Sequence, residues 1–485
     1  MISSQKLILL LSIIFIAITS CNTSISGADD EGKAENDSTQ VVVKTDLADI
    51  VKRDTLRAIT IFGPTSYFLY RGQAMGFEYE ILEDLAEKLD LHLELVVSRN
   101  IDELFERLNK GEGDVIAYGL AITAARKKII DFTIPYTSYH QVLVQRKPDN
   151  WRKLSYKEKQ NALISDVTEL GDKTISVREN SSYYERLQNL SEEIGDSIGI
   201  QIVPGEYSTY EIIQKVSEGE YQYTIADNSI AQLNNSYYSN IDISVPVSFS
   251  QKIAWSVRKS SPMLRNSLDS LFELYIGSAR FNVIYNKYFQ NNKSFKKHVS
   301  SNYYTITTGN ISPYDDLIKK NSIDLNWDWL LVSSIVFQES RFNPKTDSWA
   351  GASGLMQIMP KTAKSLGVKN VNDPEQSIRG GTKYLKILYD RWTSIPDSIQ
   401  RIKFTMASYN CGFGHVQDAQ RLAISEGKNE LIWDDGVDEC ILKLSKPKYY
   451  NRSEIAYGYV RGNEPYNYVK DIFARYEEYK EMTAK

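Results

Sequence analysis

The sequence predicts a multidomain protein in which an α/β region is followed by a mainly α region. Three observations predict this. The chain has 485 residues, more than one hydrophobic core sustains. Between about Asp54 and Arg258, short β-like runs alternate with apolar stripes at helical spacing, the signature of sheets covered by helices. Beyond Pro313 the pattern is helical between Gly and Pro punctuation, with no convincing strand.

In chain order, Lys6 precedes an apolar run from Leu7 to Ile18 that ends in Thr19-Ser20-Cys21. A cation, a short apolar stretch and small residues before a cut site describe an export signal, and the run is short for a membrane span. Ile18 to Cys21 resembles the lipobox of bacterial lipoproteins, which implies lipidation of Cys21 and removal of residues 1–21. Residues 22–45 are rich in Ser, Asp, Glu, Asn and Gly and read as a flexible tether.

Ordered patterning begins near Asp54. Leu56 to Ile61 reads as a strand, and Phe77, Ile81, Leu82, Leu85, Ala86 and Leu89 line one helix face. Leu93 to Val97, a helix from Asp102 ended by Gly111, and Val115 to Ala117 follow as strand, helix and strand. A second α/β set spans Thr174 to Ala226, Ile253 to Arg258 returns as a strand, and Pro262 to Phe289 reads as mostly helical. Such alternation predicts parallel sheets. Residues 46–292 thus form the α/β domain. Asn291 to Asn310 is polar and poorly patterned, so 293–311 is expected to be a linker. Ser312-Pro313 before Asp315 and Asp316 opens the helical domain, 312–485.

The formal net charge of −5 argues against nucleic acid, which favours a basic face. Apart from Cys21, only Cys411 and Cys440 could pair, and sequence does not give their separation. Two cysteines and four scattered histidines have no zinc-ligand spacing, so neither metal nor cofactor is expected.

In the α/β region, Gly119-Leu120-Ala121-Ile122-Thr123-Ala124-Ala125-Arg126, then Asp131-Phe132-Thr133 and Pro135-Tyr136, together with Gly76-Phe77-Glu78-Tyr79-Glu80, resemble the family 3 periplasmic solute-binding proteins. The resemblance implies two lobes closing on a small ligand, typically an amino acid. It implies that Arg126 grips the ligand carboxylate, a task suited to a planar charged fork, and that Asp227 receives its ammonium. From the residues alone, Arg126 could instead pair with Asp131, and Asp227 could be a helix cap. Ala121 stands where many amino-acid binders carry Thr or Ser, which points away from a common free amino acid; the expected ligand is an amino acid or a muropeptide.

In the helical region, Glu339-Ser340-Arg341-Phe342-Asn343-Pro344 precedes Gly351-Ala352-Ser353-Gly354-Leu355-Met356-Gln357-Ile358-Met359-Pro360, and later come Ala407-Ser408-Tyr409-Asn410-Cys411-Gly412 and Tyr468-Val469. This ordered set resembles the soluble-lytic-transglycosylase domain, a lysozyme-like fold. With Gly458 to Pro465 and the binding-protein region in front, the combination is similar to the membrane-bound lytic transglycosylase F family. The resemblance implies cleavage of the MurNAc–GlcNAc β-1,4 bond of peptidoglycan glycan strands with formation of 1,6-anhydroMurNAc ends. Glu339 would be the single acid/base, kept protonated by partial desolvation at its helix end.

The resemblance also implies substrate contacts from Ser340, Gly354, Met356, Gln357, Tyr409, Asn410 and Tyr468, the last orienting Glu339. Beside these readings, Ser340 could bond its own helix end, Met356 and Tyr409 could be core, and Tyr468 could be a packed aromatic. A lysozyme-type muramidase would use water in place of the MurNAc 6-hydroxyl, and a catalytically dead glycan- or ligand-binding lipoprotein would lack the chemistry altogether. The expected location is the cell envelope, lipid-anchored in the outer membrane and facing the periplasm.

Overall fold

The computed structural model describes residues 43–483, apart from Asn180 and Glu206. The signal, Cys21 and most of the tether lie outside the described residues. Its last residues, 43–45, lie against the α/β domain, where Ser260 Oγ donates to the Val43 carbonyl at 2.7 Å and Ser261 Oγ to that of Thr45 at 2.8 Å.

The first lobe contributes strands β1 (Thr55–Ile61), β2 (Phe68–Tyr70), β3 (Gln73–Met75), β4 (His92–Ser98), β5 (Val115–Ala121), β6 (Asp131–Phe132) and β7 (Thr137–Tyr139). The second holds β8 (Gln141–Arg146), β9 (Thr174–Arg178), β10 (Gly199–Val203), β11 (Tyr223–Asp227) and β12 (Ile241–Asp242), and β13 (Gln251–Val257) returns to the first. The sheet orders are β4-β1-β5-β13-β6 and β10-β9-β11-β8-β12, with β2–β3 a separate hairpin. β1 pairs parallel with β4 and β5, and β9 with β10 and β11. Both sheets are mixed, which departs from the parallel expectation. β13 runs antiparallel to β5, and β8 antiparallel to β11. These are the strands by which the chain crosses between lobes. A strand that enters without a helical crossover is free to run against its neighbour.

Helix Phe77–Lys88 buries Phe77, Ile81, Leu82, Leu85 and Ala86, all in the stripe read from sequence, in the core that also holds Leu264, Leu268 and Phe272 of helix Pro262–Tyr275. Helix Ile101–Lys110 ends where Gly111 adopts φ 80°, a left-handed cap that glycine takes without a Cβ penalty.

The segment expected to be a linker is structured. Asn292–Val299 and Thr305–Thr308 are helical, and Phe295, Tyr304 and Ile311 are buried. The apolar residues are too widely spaced to show a stripe, yet Tyr304 and Ile311 join cores formed by distant elements and Phe295 packs near Tyr210. The helix after it starts at Asp315 rather than at Pro313. The Asp315 carboxylate accepts from the Ile311 and Ser312 amides at 2.9 and 2.8 Å, which holds the preceding residues in a turn.

The helical domain is built around Trp329–Ser340, packed on Asn463–Thr483 and Asp315–Ser322. Leu330 through Phe337 are all buried, as expected for a helix enclosed on every side. Cys411 and Cys440 are free thiols. Among the described residues no helix is long and apolar enough to cross a membrane, and no group of three or more His, Cys, Asp or Glu is placed to hold a metal ion.

Candidate active site and binding cleft

Glu339 occupies the last turn of helix Trp329–Ser340. The helix stops because Arg341 and Phe342 take φ values of 50° and 59°, consecutive left-handed residues that turn the chain away. Phe342 is buried and packs edge-on against Phe337, with ring centres 5.7 Å apart. The half-buried Glu339 carboxylate accepts a hydrogen bond from the Tyr468 hydroxyl at 2.5 Å. Burial raises its pKa to about 7, and the Tyr468 hydrogen bond opposes that rise. A carboxyl group so tuned is present in both protonation states near neutrality, as proton cycling requires.

The loop from Asn343 to Met359 forms the floor. Ser340 Oγ donates to the Leu355 carbonyl at 2.9 Å and bonds the Val336 carbonyl at 3.1 Å. It joins the helix end to the loop and has its hydrogen committed there, so the helix-end alternative describes its position. Gly354 has a packing constraint of its own. At φ +82°, a Cβ on it would lie 1.9 Å from the Val371 carbonyl oxygen. The glycine admits protein backbone there. Met356 is fully buried, and its side chain fills the space over Gly381. That is core packing, although its carbonyl accepts from the Tyr409 hydroxyl at 2.7 Å. Gln357, at φ 44°, ties the loop together through Nε2, which donates to the Thr346 and Gly354 carbonyls at 2.8 and 2.9 Å.

Tyr409 lies close enough to Glu339 for the two to interact electrostatically, and burial with that charge holds its hydroxyl protonated. Asn410 is exposed at the end of helix Ser398–Cys411. The structure therefore gathers Glu339, Tyr409 and Tyr468 around one point, and Ser340, Gly354, Met356 and Gln357 each make packing or hydrogen-bond contacts within the neighbouring loop. Two residues missed from sequence join them. Tyr384 packs against Tyr409 with ring centres 5.4 Å apart. Arg475 donates to Gln338 Oε1 at 2.8 Å and lies over the Phe337 ring, bracing the turn that carries the acid. The i, i+7 relation of Arg475 to Tyr468 on one helix face was the available signal for it.

The second candidate site is the cleft between the α/β lobes. Arg126 does not pair with Asp131, which instead meets Arg265 at 3.1 Å. Its Nη1 donates to the Ala121 carbonyl at 3.0 Å, and its guanidinium lies over Phe105. Burial lowers its pKa, and Glu185, Tyr118, Tyr183 and Asp227 surround it electrostatically. Asp227 stands at the N-cap position of helix Asn228–Tyr237 but makes no side-chain cap bond. Burial raises its pKa to about 6, against the Tyr183 hydrogen bond and the charge of Arg126. Sequence reading missed Tyr183, Glu185 and Tyr118. It also missed Thr65 and Tyr210, which hydrogen-bond across the lobes at 3.0 Å.

Two family models match the chain: the transglycosylase SLT domain over residues 316–432, and the bacterial extracellular solute-binding proteins, family 3, over 58–291. A membrane-bound lytic murein transglycosylase F of Desulfosudis oleivorans is 34% identical over 420 residues, covering 86% of this chain and 88% of that protein. The chain belongs to this family. The transglycosylase F of Idiomarina loihiensis is 31% identical across 89% of this chain and 91% of its own. That of Vibrio cholerae is 32% identical across 90% and 81%. Among solved structures, a mutant of ArgBP from T. maritima is similar at 23% identity and TM-score 0.42, covering 50% of this chain and 99% of that one. The family architecture is thus the one found here, a solute-binding α/β domain followed by a helical transglycosylase domain.

Proposed function

We propose that this chain, as a peptidoglycan lytic transglycosylase, cuts the MurNAc–GlcNAc β-1,4 bond with Glu339 as both acid and base. The observation that carries the reading is a half-buried carboxyl group, raised to about 7, whose one hydrogen-bond partner among the described residues is Tyr468. Glu339 gives its proton to the glycosidic oxygen. Its carboxylate then takes the proton of the MurNAc 6-hydroxyl, whose oxygen closes onto C1. The leaving sugar departs with the first proton, the anhydro ring forms, and no water is consumed. Tyr468 holds the carboxylate in place and steadies its charged form for the second step. Most glycosidases that use water or an enzyme nucleophile work with a second carboxylate about 5–9.5 Å away, and among the described residues no carboxylate acts electrostatically on Glu339. The test is the chemical identity of the new chain ends, anhydro or reducing.

The α/β cleft is read as a regulatory receptor. Arg126 takes a ligand carboxylate and Asp227 an ammonium, which suits an amino acid or a cell-wall peptide released near the enzyme. Support for communication comes from the β2–β3 hairpin. A Cβ on Gly72 would lie 2.4 Å from the Phe342 ring, and the Tyr479 hydroxyl donates to the Gly72 carbonyl at 3.0 Å. The first-lobe hairpin thus touches the turn next to Glu339, which offers lobe movement a route to the acid. Isothermal titration with muropeptides, alongside turnover, tests it; binding without a change in turnover rules regulation out. Lipidation of Cys21 with retention at the outer membrane completes the reading, and Cys21→Ala is expected to release the protein into the soluble periplasmic fraction.

A further inference from the structure

Trp349 is 89% exposed. Single apolar side chains on a surface are ordinary, but this one is held out by a stiff turn. The Ser348 amide donates to the Ala352 carbonyl at 2.8 Å, the Gly351 amide to Ser348 O at 3.0 Å, and the Ala352 amide to Ser348 Oγ at 2.9 Å. Below the turn, Gly354 N and Gln357 Nε2 both donate to the Thr346 carbonyl. The indole is therefore braced by the same loop that forms the floor under Glu339.

A second loop reaches it. The Arg461 guanidinium carbon lies 5.8 Å from the centre of the Trp349 ring. That loop is also fixed, because the buried Asp418 carboxylate accepts from the amides of Ala456, Tyr457 and Gly458 at 2.8, 2.6 and 3.1 Å. From Asn463 the last helix runs to Tyr468, about 8 Å at 1.5 Å per residue, and there it meets Glu339. Trp349 and Arg461 thus stand on the two chain segments that lead to the acid, one through Ser340 and Leu355 and the other through Tyr468. The Arg461 guanidinium pairs with the exposed Glu464 at 3.2 Å and interacts with Tyr459, and among the described residues no buried carboxylate holds it.

We propose that Trp349 and Arg461 form a glycan subsite beyond the scissile bond, where the indole takes the apolar face of a sugar ring and the guanidinium takes the carboxylate of that sugar's substituent. The proposal rests on the murein-cutting reading and adds to it a preference for strands that carry acidic side groups. The chemistry fits both halves of such a unit. The C–H face of a pyranose is flat and apolar and covers an indole that otherwise faces water. A lactyl or peptide carboxylate matches the planar donor fork of arginine. Ordering is inexpensive, since the turn is already fixed and an aromatic side chain has few rotamers to lose.

The test separates this subsite from the catalytic assignment. Glu339→Gln protein, unable to turn over, is titrated with peptide-bearing glycan strands while tryptophan fluorescence is followed. A saturable change is expected, lost when Trp349→Phe is added. In active protein, Trp349→Ala is expected to raise KM on strands about tenfold, equivalent to about 1.4 kcal/mol of binding, with kcat within about twofold and Trp349→Phe recovering most of the loss. Arg461→Lys is expected to raise KM on peptide-bearing strands more than on strands stripped of acidic groups. An unchanged KM in Trp349→Ala, or a fall confined to kcat, would overturn the subsite. Wild-type protein that released no anhydro ends would instead overturn the proposed reaction, and the fluorescence titration would still decide the subsite.

Discussion

The two candidate sites make a controlled comparison within one chain. Each places a carboxyl group in a desolvated setting with a tyrosine hydroxyl as partner: Asp227 with Tyr183, raised to about 6, and Glu339 with Tyr468, raised to about 7. They differ in the third group. Asp227 has the Arg126 guanidinium in electrostatic reach, whereas among the described residues no cation bears on Glu339. A nearby cation favours the charged form and commits an acid to recognition. Without one, the acid stays poised between its two forms, which is what proton transfer in both directions needs. The presence of a cation beside one acid and its absence beside the other is the contrast that the proposed binding and cleavage roles require.

The largest effect expected from this contrast is on turnover. Glu339→Gln keeps the shape and the Tyr468 contact but cannot cycle a proton, so release of muropeptides should fall by at least about a hundredfold. Asp227→Asn should leave the chemical step far less affected. Comparable losses of turnover in the two variants would break the comparison. Next comes ligand affinity in the α/β cleft. Arg126→Ala removes charge-assisted hydrogen bonds worth roughly 1.5–3 kcal/mol, so calorimetry should show binding of a carboxylate-bearing muropeptide weakened ten- to a hundredfold. Undiminished affinity would remove the carboxylate role.

Tyr468→Phe sharpens the catalytic half. The phenol favours the charged form of Glu339, so its loss should raise the pKa further and move the acid's titration in the pH–rate profile upwards, with turnover down about tenfold. A slower enzyme with an unmoved profile would make Tyr468 a packing residue only. The smallest effect is on stability. Glu339 has a folded pKa raised above its unfolded value, so between about pH 4.5 and 7 the native state binds more protons than the unfolded one. Stability therefore falls as pH rises through that window. Glu339→Gln removes this term and should be more stable than wild type above pH 7, by of order 1 kcal/mol. Denaturant melts at pH 5 and pH 8 measure it.

Much of this was legible in the sequence, and the exceptions have physical causes. Helices Phe77–Lys88 and Ile101–Lys110 announced themselves because half-buried helices must carry a stripe, and Gly111 because a left-handed cap favours glycine. The antiparallel course of β8 and β13 was hidden, because strand direction depends on how lobes connect rather than on local pattern. The 293–311 segment looked like a linker because its buried residues are isolated and find partners only in tertiary structure. In the site, Glu339, Tyr409 and Tyr468 were readable from ordered blocks. What could not be read was packing: Gly354 lies tight against Val371, and the Met356 side chain fills the space over Gly381. Motif membership marks a residue as needed and leaves open whether sugar or protein needs it. Arg475 and Trp349 lie outside the blocks and became visible only through what they touch.

The most direct measurement of the central claim is mass spectrometry of the fragments that the purified protein releases from sacculi, with Glu339→Gln run in parallel. One carboxyl group working in both directions predicts muropeptides ending in 1,6-anhydroMurNAc from the wild type and almost none from the variant. Reducing ends from the wild type, or anhydro ends still formed by Glu339→Gln, would contradict it.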